Sequence, residues 1–228
     1  MATINVAANL HQVRDRIAAA ERGANRPPGS VRLLAVSKTK PAALIRDAWA
    51  GGQRAFGENY AQEAELKAGE LADLGIEWHF IGPIQSNKTR ALASTMDWVH
   101  SVDRYKIARR LSDQRNPSLP PLNICLQVKL SNEATKSGAP PQQLAALAGE
   151  VATLPNISLR GLMTIPAAST DQAKQREVFA SLRALFDGLK EGHPTLDTLS
   201  MGMSGDLEAA VAEGATLVRV GTDIFGPR

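Results

Sequence analysis

Lys38 stands in the sequence where a lysine could act as a nucleophile. It follows the apolar residues 33–36 and Ser37, at the expected carboxyl end of a buried strand. Partial burial there would keep some of the amine uncharged, and an uncharged amine can form a Schiff base with an aldehyde or a ketone. The alternative is an ordinary solvated loop lysine. Lys40, beside the helix-starting Pro41, is expected to point into solvent.

Two loops beyond residue 200 could bind a phosphate group. Ser204 and Thr222 supply hydroxyl donors, and Gly221 lets the backbone approach a ligand closely. Arg219 adds a positive charge that alternation along a strand could direct inward. The alternative is two ordinary turns and a surface arginine, with Ser204 serving only as a helix cap. Two neighbouring aspartates also weaken a purely electrostatic argument for phosphate binding.

Asn59 and His79 lie at two further expected strands. Asn59 could pack against a planar ligand, or it could only cap the next helix. His79 could contact a ligand, or it could be a core histidine satisfied by a backbone group. The four histidines lack metal-ligand spacing, so no zinc site is expected. The single cysteine, Cys125, is expected to be a small buried residue.

Eight short apolar runs alternate with helical patterns along the sequence. The expected strands span residues 31–36, 54–57, 77–81, 98–102, 122–128, 157–163, 196–201 and 216–220. Several are continuously apolar, which is typical of parallel strands covered on both faces. The alternation predicts a closed (β/α)8 TIM barrel, with an open doubly wound sheet as the alternative. Active sites of such barrels lie at the carboxyl ends of the strands, where Lys38 and the two loops fall.

The N-terminal segment predicts an additional helix. Apolar residues recur at spacings of 4, 3 and 4 in Val6, Leu10, Val13 and Ile17. This pattern gives one apolar helical face. Because only eight residues follow the eighth strand, we expect this helix to cover the place of an eighth barrel helix. Residues 1–228 are expected to form a single domain, with a mobile loop at 132–138.

Composition places the chain among ordinary globular proteins. Of its 228 residues, 43% are hydrophobic and 21% are charged, and the net charge is +3. The small basic excess is spread along the chain and does not favour nucleic-acid binding. No run approaches the roughly 20 apolar residues of a membrane span, and one cysteine forbids an internal disulfide. We therefore expect a cytoplasmic monomer with neither a nucleic-acid nor a membrane partner.

The lysine after the first strand and the loops after the seventh and eighth strands converge on one barrel mouth. A phosphorylated aldehyde would satisfy both features, and pyridoxal 5′-phosphate (PLP) is the simplest such cofactor. The alternative is a barrel that acts on sugar phosphates without PLP. That alternative predicts phosphate binding without any coloured adduct.

Several stretches of the sequence resemble the pyridoxal phosphate homeostasis protein family, which is related to the barrel domain of alanine racemase. They are LAVSKTKP at 34–41, FGENY at 56–60, WHFIGPIQSNK at 78–88, RGLM at 160–163, LSMGMS at 199–204, VRVGT at 218–222 and IFG at 224–226. Any one stretch is weak evidence. The set is highly specific because the stretches run in order over nearly the whole chain.

The resemblance implies a PLP-bearing barrel with Lys38 as the Schiff-base lysine. It also implies cofactor contacts to the phosphate from Ser204, Arg219, Gly221 and Thr222, and along the ring from Asn59, His79 and Met201. In the related racemase domain an arginine faces the pyridine nitrogen, and Arg219 would match it. A cation there keeps this nitrogen unprotonated, which weakens the ring as an electron sink. The family is regarded as controlling vitamin B6 and amino-acid balance, without an established catalytic activity.

Two classes of function follow from the resemblance. The first is a PLP carrier or regulator that holds the aldehyde reversibly and serves apo forms of PLP-dependent enzymes. The second is an amino-acid racemase, which needs two positioned acid/base groups. Related racemases take the second group, a tyrosine, from a separate domain of a partner subunit, and this sequence has only Tyr60 and Tyr105. We therefore favour the carrier and assign no catalytic residue.

Overall fold

A computed structural model describes residues 4–131 and 137–227, in which strands and helices alternate in sequence. The strands are β1 Arg32–Val36, β2 Ala55–Glu58, β3 Glu77–Phe80, β4 Trp98–Val102, β5 Leu122–Gln127, β6 Ile157–Met163, β7 Thr198–Ser200 and β8 Leu217–Val220. The helices are α1 Val6–Gly23, α2 Ala42–Ala50, α3 Ala61–Glu70, α4 Thr89–Thr95, α5 Tyr105–Gln114, α6 Leu144–Ala152, α7 Gln172–Lys190, α8 Leu207–Ala212 and α9 Thr222–Phe225. Short 3₁₀ turns at Ser86–Lys88 and Pro141–Gln143 precede α4 and α6.

The eight strands form a closed parallel barrel. Each strand pairs with the next one in sequence, and β1 pairs with β8 in a register that runs from Arg32↔Leu217 to Ala35↔Val220. The pairing of the first and last strands excludes the open doubly wound sheet. All eight expected strands are confirmed, with ends that differ by at most two residues from the sequence-based bounds.

Alternation along the strands separates an outer apolar layer from the barrel interior. Ala35 and Val220 belong to the main hydrophobic cluster, which the strands share with the helices. Leu34 and Arg219 are paired across the same two strands one position earlier, so they face inward. The interior therefore holds both apolar and charged side chains, and its charged members must find polar partners there.

The helix α1 closes the barrel surface between its last and first helices. Its apolar face, Val6, Leu10, Val13 and Ile17, is buried. The helix packs against α8 and α9 on one side and α2 on the other. This is the place that a full helix after β8 would occupy, so the expected role of the N-terminal helix is confirmed. After β8 the chain forms only the single turn α9.

The remaining expectations concern loops and membranes. Residues 132–136 of the expected loop lie outside the described residues. Within the described ranges, no helix is both long and apolar enough to cross a bilayer. Cys125 is buried, as expected, and burial raises the pKa of its thiol.

The pairing of β6 with β7 requires a glycine at position 161. A Cβ built on Gly161 would lie 1.7 Å from the carbonyl oxygen of Thr198. We expect Gly161→Ala to lower the free energy of unfolding by about 3 kcal/mol, because the two strands would have to separate. Urea unfolding followed by circular dichroism measures this change.

The matched control is Gly188→Ala in α7, where an added Cβ meets no atom of the described residues within 4 Å. Alanine is the better helix former, so this variant should be more stable by roughly 0.5–1 kcal/mol. Equal unfolding midpoints for the two variants would contradict the close strand approach at Gly161.

Candidate functional site

Lys38 lies in a tight turn that follows β1 at the carboxyl end of the barrel. The turn is closed by the Lys40 backbone N–H, which donates to the Ser37 carbonyl at 3.0 Å. Lys38 is half-buried, and Ser37 before it is fully buried. Thr39 after it has a φ of +63°. The lysine is therefore presented by a constrained segment at the barrel rim rather than by an extended loop.

A buried carboxylate supports this turn from β2. Oε1 of Glu58 accepts hydrogen bonds from Ser37 Oγ at 2.6 Å and from Lys67 Nζ at 2.8 Å. Burial raises the pKa of Glu58, and the bonds from Lys67 and Ser37 oppose that rise. Its other oxygen, Oε2, is buried without a hydrogen-bond partner among the described residues.

Lys40 differs from its expected position in solvent. Its Nζ donates to the carbonyl oxygens of Gly226 at 3.0 Å and Pro227 at 2.7 Å. The segment after β8 thus supplies acceptors that satisfy the second lysine of the turn. The physical reason is that β8 is the neighbour of β1, so their following loops meet.

Arg219 of β8 is a buried cation at the same end of the barrel. Its Nη1 donates to Ser200 Oγ and its Nη2 to the Thr164 carbonyl, both at 2.9 Å. Burial lowers the pKa of Arg219 to about 10. The guanidinium therefore stays charged at neutral pH, and alternation along the strand does direct it inward.

The interior below Arg219 contains a chain of hydrogen bonds between two buried histidines. His100 Nδ1 lies 2.8 Å from Ser200 Oγ, and its Nε2 lies 2.8 Å from His79 Nδ1. His79 Nε2 lies 2.5 Å from Oε1 of Glu77, which also accepts from Arg32. The chain runs from Arg219 near the mouth to the half-exposed Glu77 at the opposite end.

The direction of each hydrogen bond in this chain follows from the charged groups at its two ends, Arg219 and Glu77. Burial tends to raise the pKa of Glu77, but the hydrogen bonds from His79 and Arg32 and the charge of Arg32 lower it, so this carboxylate only accepts. Burial lowers the pKa of both His79 and His100, so both rings are neutral. Each ring then donates through Nε2 and accepts at Nδ1, and the Ser200 hydroxyl donates to His100. Every bond in the chain points away from Arg219.

His79 is therefore satisfied on both nitrogens inside the barrel. It is also stacked on Trp98, with ring centroids 5.5 Å apart. Its partners are side chains rather than the backbone group expected for a core histidine. A direct contact between His79 and a ligand stays a prediction.

The loop after β8 lies against the end of β1, and the loop after β7 lies beside β8, where the Arg219 N–H donates to the Gly202 carbonyl at 2.9 Å. A Cβ added to Gly221 would lie 3.0 Å from the Val36 carbonyl oxygen at the end of β1, so the backbone of the two segments packs closely there. Thr222 is exposed at the start of α9, Ser204 is half-buried, and Met201 is fully buried just after β7. These residues all follow β7 or β8 at the carboxyl end of the barrel, where the sequence predicts them to lie.

Arg16 of α1 balances negative charge beside these loops. Its guanidinium pairs with Asp223 at 2.7 Å and with Glu208 at 3.0 Å, and it donates to the Ser204 carbonyl. Asp206 instead binds a backbone group: its Oδ1 accepts a hydrogen bond from the Met203 N–H at 2.6 Å. The acidic residues near the loops are therefore partnered within the fold.

Two expected helix caps are wrong. The residue that caps α3 is Tyr60 rather than Asn59, and the residue before α8 is Asp206 rather than Ser204. Neither Tyr60 nor Asp206 makes a capping bond from its side chain to its own helix. Asn59 and Ser204 each lie farther from the helix, at the rim of the barrel.

A cavity of about 180 Å³ opens at this rim. It is lined by Asn59, Ile81, Pro83, Gln127, Ser137 and Ile165. Oδ1 of Asn59 is buried and has no hydrogen-bond partner among the described residues. A buried amide oxygen of this kind is costly unless a ligand or water satisfies it, so the cavity is a candidate binding site.

Sequence reasoning missed the residues that support the site. Glu58 directly follows the expected strand at 54–57, so neither its place at the end of β2 nor its burial was predicted. His100 and Ser200 gave no local signal, because their partners lie on distant strands.

Comparison with known proteins identifies the family. Residues 8–228 match the family model of the alanine racemase N-terminal domain. A pyridoxal phosphate homeostasis protein from Pseudomonas aeruginosa is 60% identical, over 98% of this chain and 96% of the relative. One from Escherichia coli K12 is 52% identical, over 98% and 97%. This chain belongs to the pyridoxal phosphate homeostasis protein family.

Solved structures of other proteins share the fold. The structure of PipY from Synechococcus elongatus with PLP bound is 42% identical, with a TM-score of 0.85 over 97% of this chain and 100% of that one. Alanine racemase from Corynebacterium glutamicum is 17% identical, with a TM-score of 0.68 over 98% of this chain and 61% of the racemase. The racemase likeness concerns the barrel fold alone.

The neutral histidine pair predicts a loss of stability in acid. In the unfolded chain a histidine has its ordinary pKa near 6.5 and takes up a proton as the pH falls, whereas His100 in the folded barrel does not. Between pH 7.5 and pH 5.5 this difference should lower the free energy of unfolding by about 1.4 kcal/mol for His100.

Urea unfolding at the two pH values, for the wild type and for His100→Gln, measures this contribution. The variant is expected to be less stable at both pH values but to lose about 1.4 kcal/mol less on acidification. Equal losses in the two proteins would mean that His100 carries a proton in the folded state.

Proposed function

We propose that this chain binds PLP as a Schiff base on Lys38 and acts in PLP and amino-acid homeostasis as a carrier or regulator rather than as a catalyst. The observation that carries the proposal is the pairing of β1 with β8. It brings the turn of Lys38 against the loop of Gly221, with the cation of Arg219 directed into the barrel beside them. An amine can bind the PLP aldehyde covalently, closely approaching backbone can contact its phosphate, and an arginine can face its pyridine nitrogen.

The described residues fit this cofactor at several points. Lys38 is proposed to hold it covalently, with the phosphate near Ser204, Gly221 and Thr222. The unsatisfied oxygen of Asn59 offers an acceptor at the rim cavity. Met201 is proposed to lie along the ring. His79 is proposed to act on the ring indirectly, through its hydrogen bond to His100 in the interior chain. PLP, when bound, supplies an aldehyde carbon that condenses with a primary amine, forming a C=N bond and releasing one water.

Arg219 is proposed to face the pyridine nitrogen and to fix its protonation. The guanidinium can only donate hydrogen bonds, and it stays charged at neutral pH because its lowered pKa is still about 10. A nitrogen that accepts from Arg219 cannot also carry a proton. An unprotonated ring withdraws electrons less strongly, which favours holding the cofactor over catalysis with it.

The rim cavity offers little acid/base chemistry. Its described lining consists of amide, hydroxyl and apolar side chains, with no titratable group. Tyr60 is exposed, and Tyr105 is half-buried at the start of α5. Racemisation requires a proton to leave one face of the substrate and another to arrive on the opposite face. This lining supports a carrier that serves apo PLP-dependent enzymes.

The Schiff base is tested by absorption spectroscopy followed by borohydride reduction and peptide mass mapping. The PLP-loaded wild type should show a visible band, and reduction should fix one pyridoxyl group on Lys38. Lys38→Ala should lose the band and the label. Lys106→Ala, which removes an exposed lysine from α5, should keep both.

A protein that remains colourless with added PLP would overturn the proposal. It would return the barrel to the alternative of a sugar-phosphate enzyme. A label on a lysine other than Lys38 would keep PLP binding but refute the assignment of the anchor.

The carrier role is tested by incubating the PLP-loaded protein with L-alanine and following both enantiomers by chiral chromatography. We expect no more D-alanine than an equal concentration of free PLP produces. Turnover well above free PLP that disappears in Lys38→Ala would establish a racemase instead.

A further inference from the structure

The turn that carries Lys38 contains a strained residue. Thr39 has a φ of +63°, a region that β-branched residues rarely adopt. Such a conformation costs on the order of 1–3 kcal/mol and persists only where surrounding groups hold it. The groups that hold Thr39 therefore also fix the backbone next to Lys38.

Helix α3 supplies those groups. Oε1 of Glu63 accepts a hydrogen bond from the Thr39 N–H at 2.6 Å. The same oxygen accepts from Lys67 Nζ at 2.7 Å, one helical turn later. Lys67 Nζ also donates to the Ser37 carbonyl at 2.8 Å. The residues immediately before and after Lys38 are thus both bound by one pair of side chains on α3.

All three hydrogen-bond donors of Lys67 Nζ are used in this arrangement. Its third hydrogen bond goes to Oε1 of Glu58 at 2.8 Å, so each of its three donors has an acceptor. The Lys67 side chain is only 8% exposed and that of Glu58 is fully buried. Buried ion pairs add little net stability over apolar packing. The main effect of these ion pairs is therefore to fix the geometry of the turn rather than to raise the stability of the fold.

We propose that the Glu63–Lys67 pair, backed by Glu58, is a clamp that positions Lys38 and sets how slowly PLP is released from it. The inference rests on the proposed function of Lys38. Holding the backbone on both sides of Lys38 keeps its amine at the barrel rim in one orientation. Loosening either side lets the amine leave the geometry in which its bond to PLP is protected.

The test compares release rates from the PLP-loaded full chain. Hydroxylamine converts PLP to its oxime and leaves the Lys38 amine free, and the loss of the visible band is followed at concentrations where its rate no longer depends on hydroxylamine, so that it measures release. Glu63→Ala removes the acceptor for the Thr39 N–H and should speed release by about tenfold, since small displacements of a reacting group have effects of this order. Glu63→Gln keeps an acceptor oxygen and should stay within about twofold of the wild type.

The matched control is Asp187→Ala on α7. Asp187 is also the acidic member of a helical pair at i,i+4, with Arg183, but its side chain is 50% exposed and it contacts no part of the turn. Its release rate should equal that of the wild type.

A rescue variant separates positioning from a general loss of stability. Glycine adopts a positive φ without strain. Glu63→Ala combined with Thr39→Gly should therefore release PLP more slowly than Glu63→Ala alone. A purely structural role for Glu63 would lower the urea midpoint without changing the release rate.

Two outcomes decide between the proposals. If reduction labels Lys38 in the wild type but Glu63→Ala releases PLP at the wild-type rate, the clamp is refuted and the anchor stands. If reduction labels no lysine in the wild type, the proposed function itself is refuted. Faster release in Glu63→Ala that Thr39→Gly does not slow would also overturn the clamp.

Discussion

The pairing of β1 with β8 is the constraint on which the rest of the site depends. It joins strands that lie about 185 residues apart in sequence, from Arg32 to Leu217, and it turns a row of strands into a barrel. Without closure, Arg219 would lie at an open edge, and Gly221 would not approach the end of β1. The proposed anchor and its cationic neighbour therefore exist as one site only in the closed state. The packing of α1 against α2 and α8 protects this seam from the outside.

The buried charges near Arg219 and those near Lys38 have different kinds of partner. Below Arg219 the interior polar groups form one directed chain that ends on a carboxylate, so no ring nitrogen in it is left without a partner. Beside Lys38, Lys67 and Glu58 form a direct ion pair, and Lys67 also donates to the Ser37 carbonyl. The histidine chain thus replaces part of the apolar filling of the barrel, whereas the Lys67–Glu58 pair lies between β2 and α3. Each set borders a residue that we propose to contact the cofactor.

The fold can be predicted from the sequence because its strands and helices have characteristic local patterns of apolar residues. Continuous apolar runs gave the eight strands, and the spacing from Val6 to Ile17 gave α1 and its position. Lys38 and Arg219 could be expected at the same end of the barrel, because the carboxyl ends of its strands converge. The caps could not, since Asn59 and Ser204 suit a cap by residue type while the backbone begins each helix one or more residues later. Long-range partners such as those of His100 leave no trace in local sequence.

The directed chain also has a consequence for solvent exchange. The Nε2 proton of His100 lies between two buried rings, and no part of His100 reaches the surface. It can exchange with water only when the strands around it separate, so its lifetime follows the opening of the barrel rather than the motion of a loop. In nuclear magnetic resonance, a slowly exchanging imidazole proton would report directly on how often the barrel opens around His100.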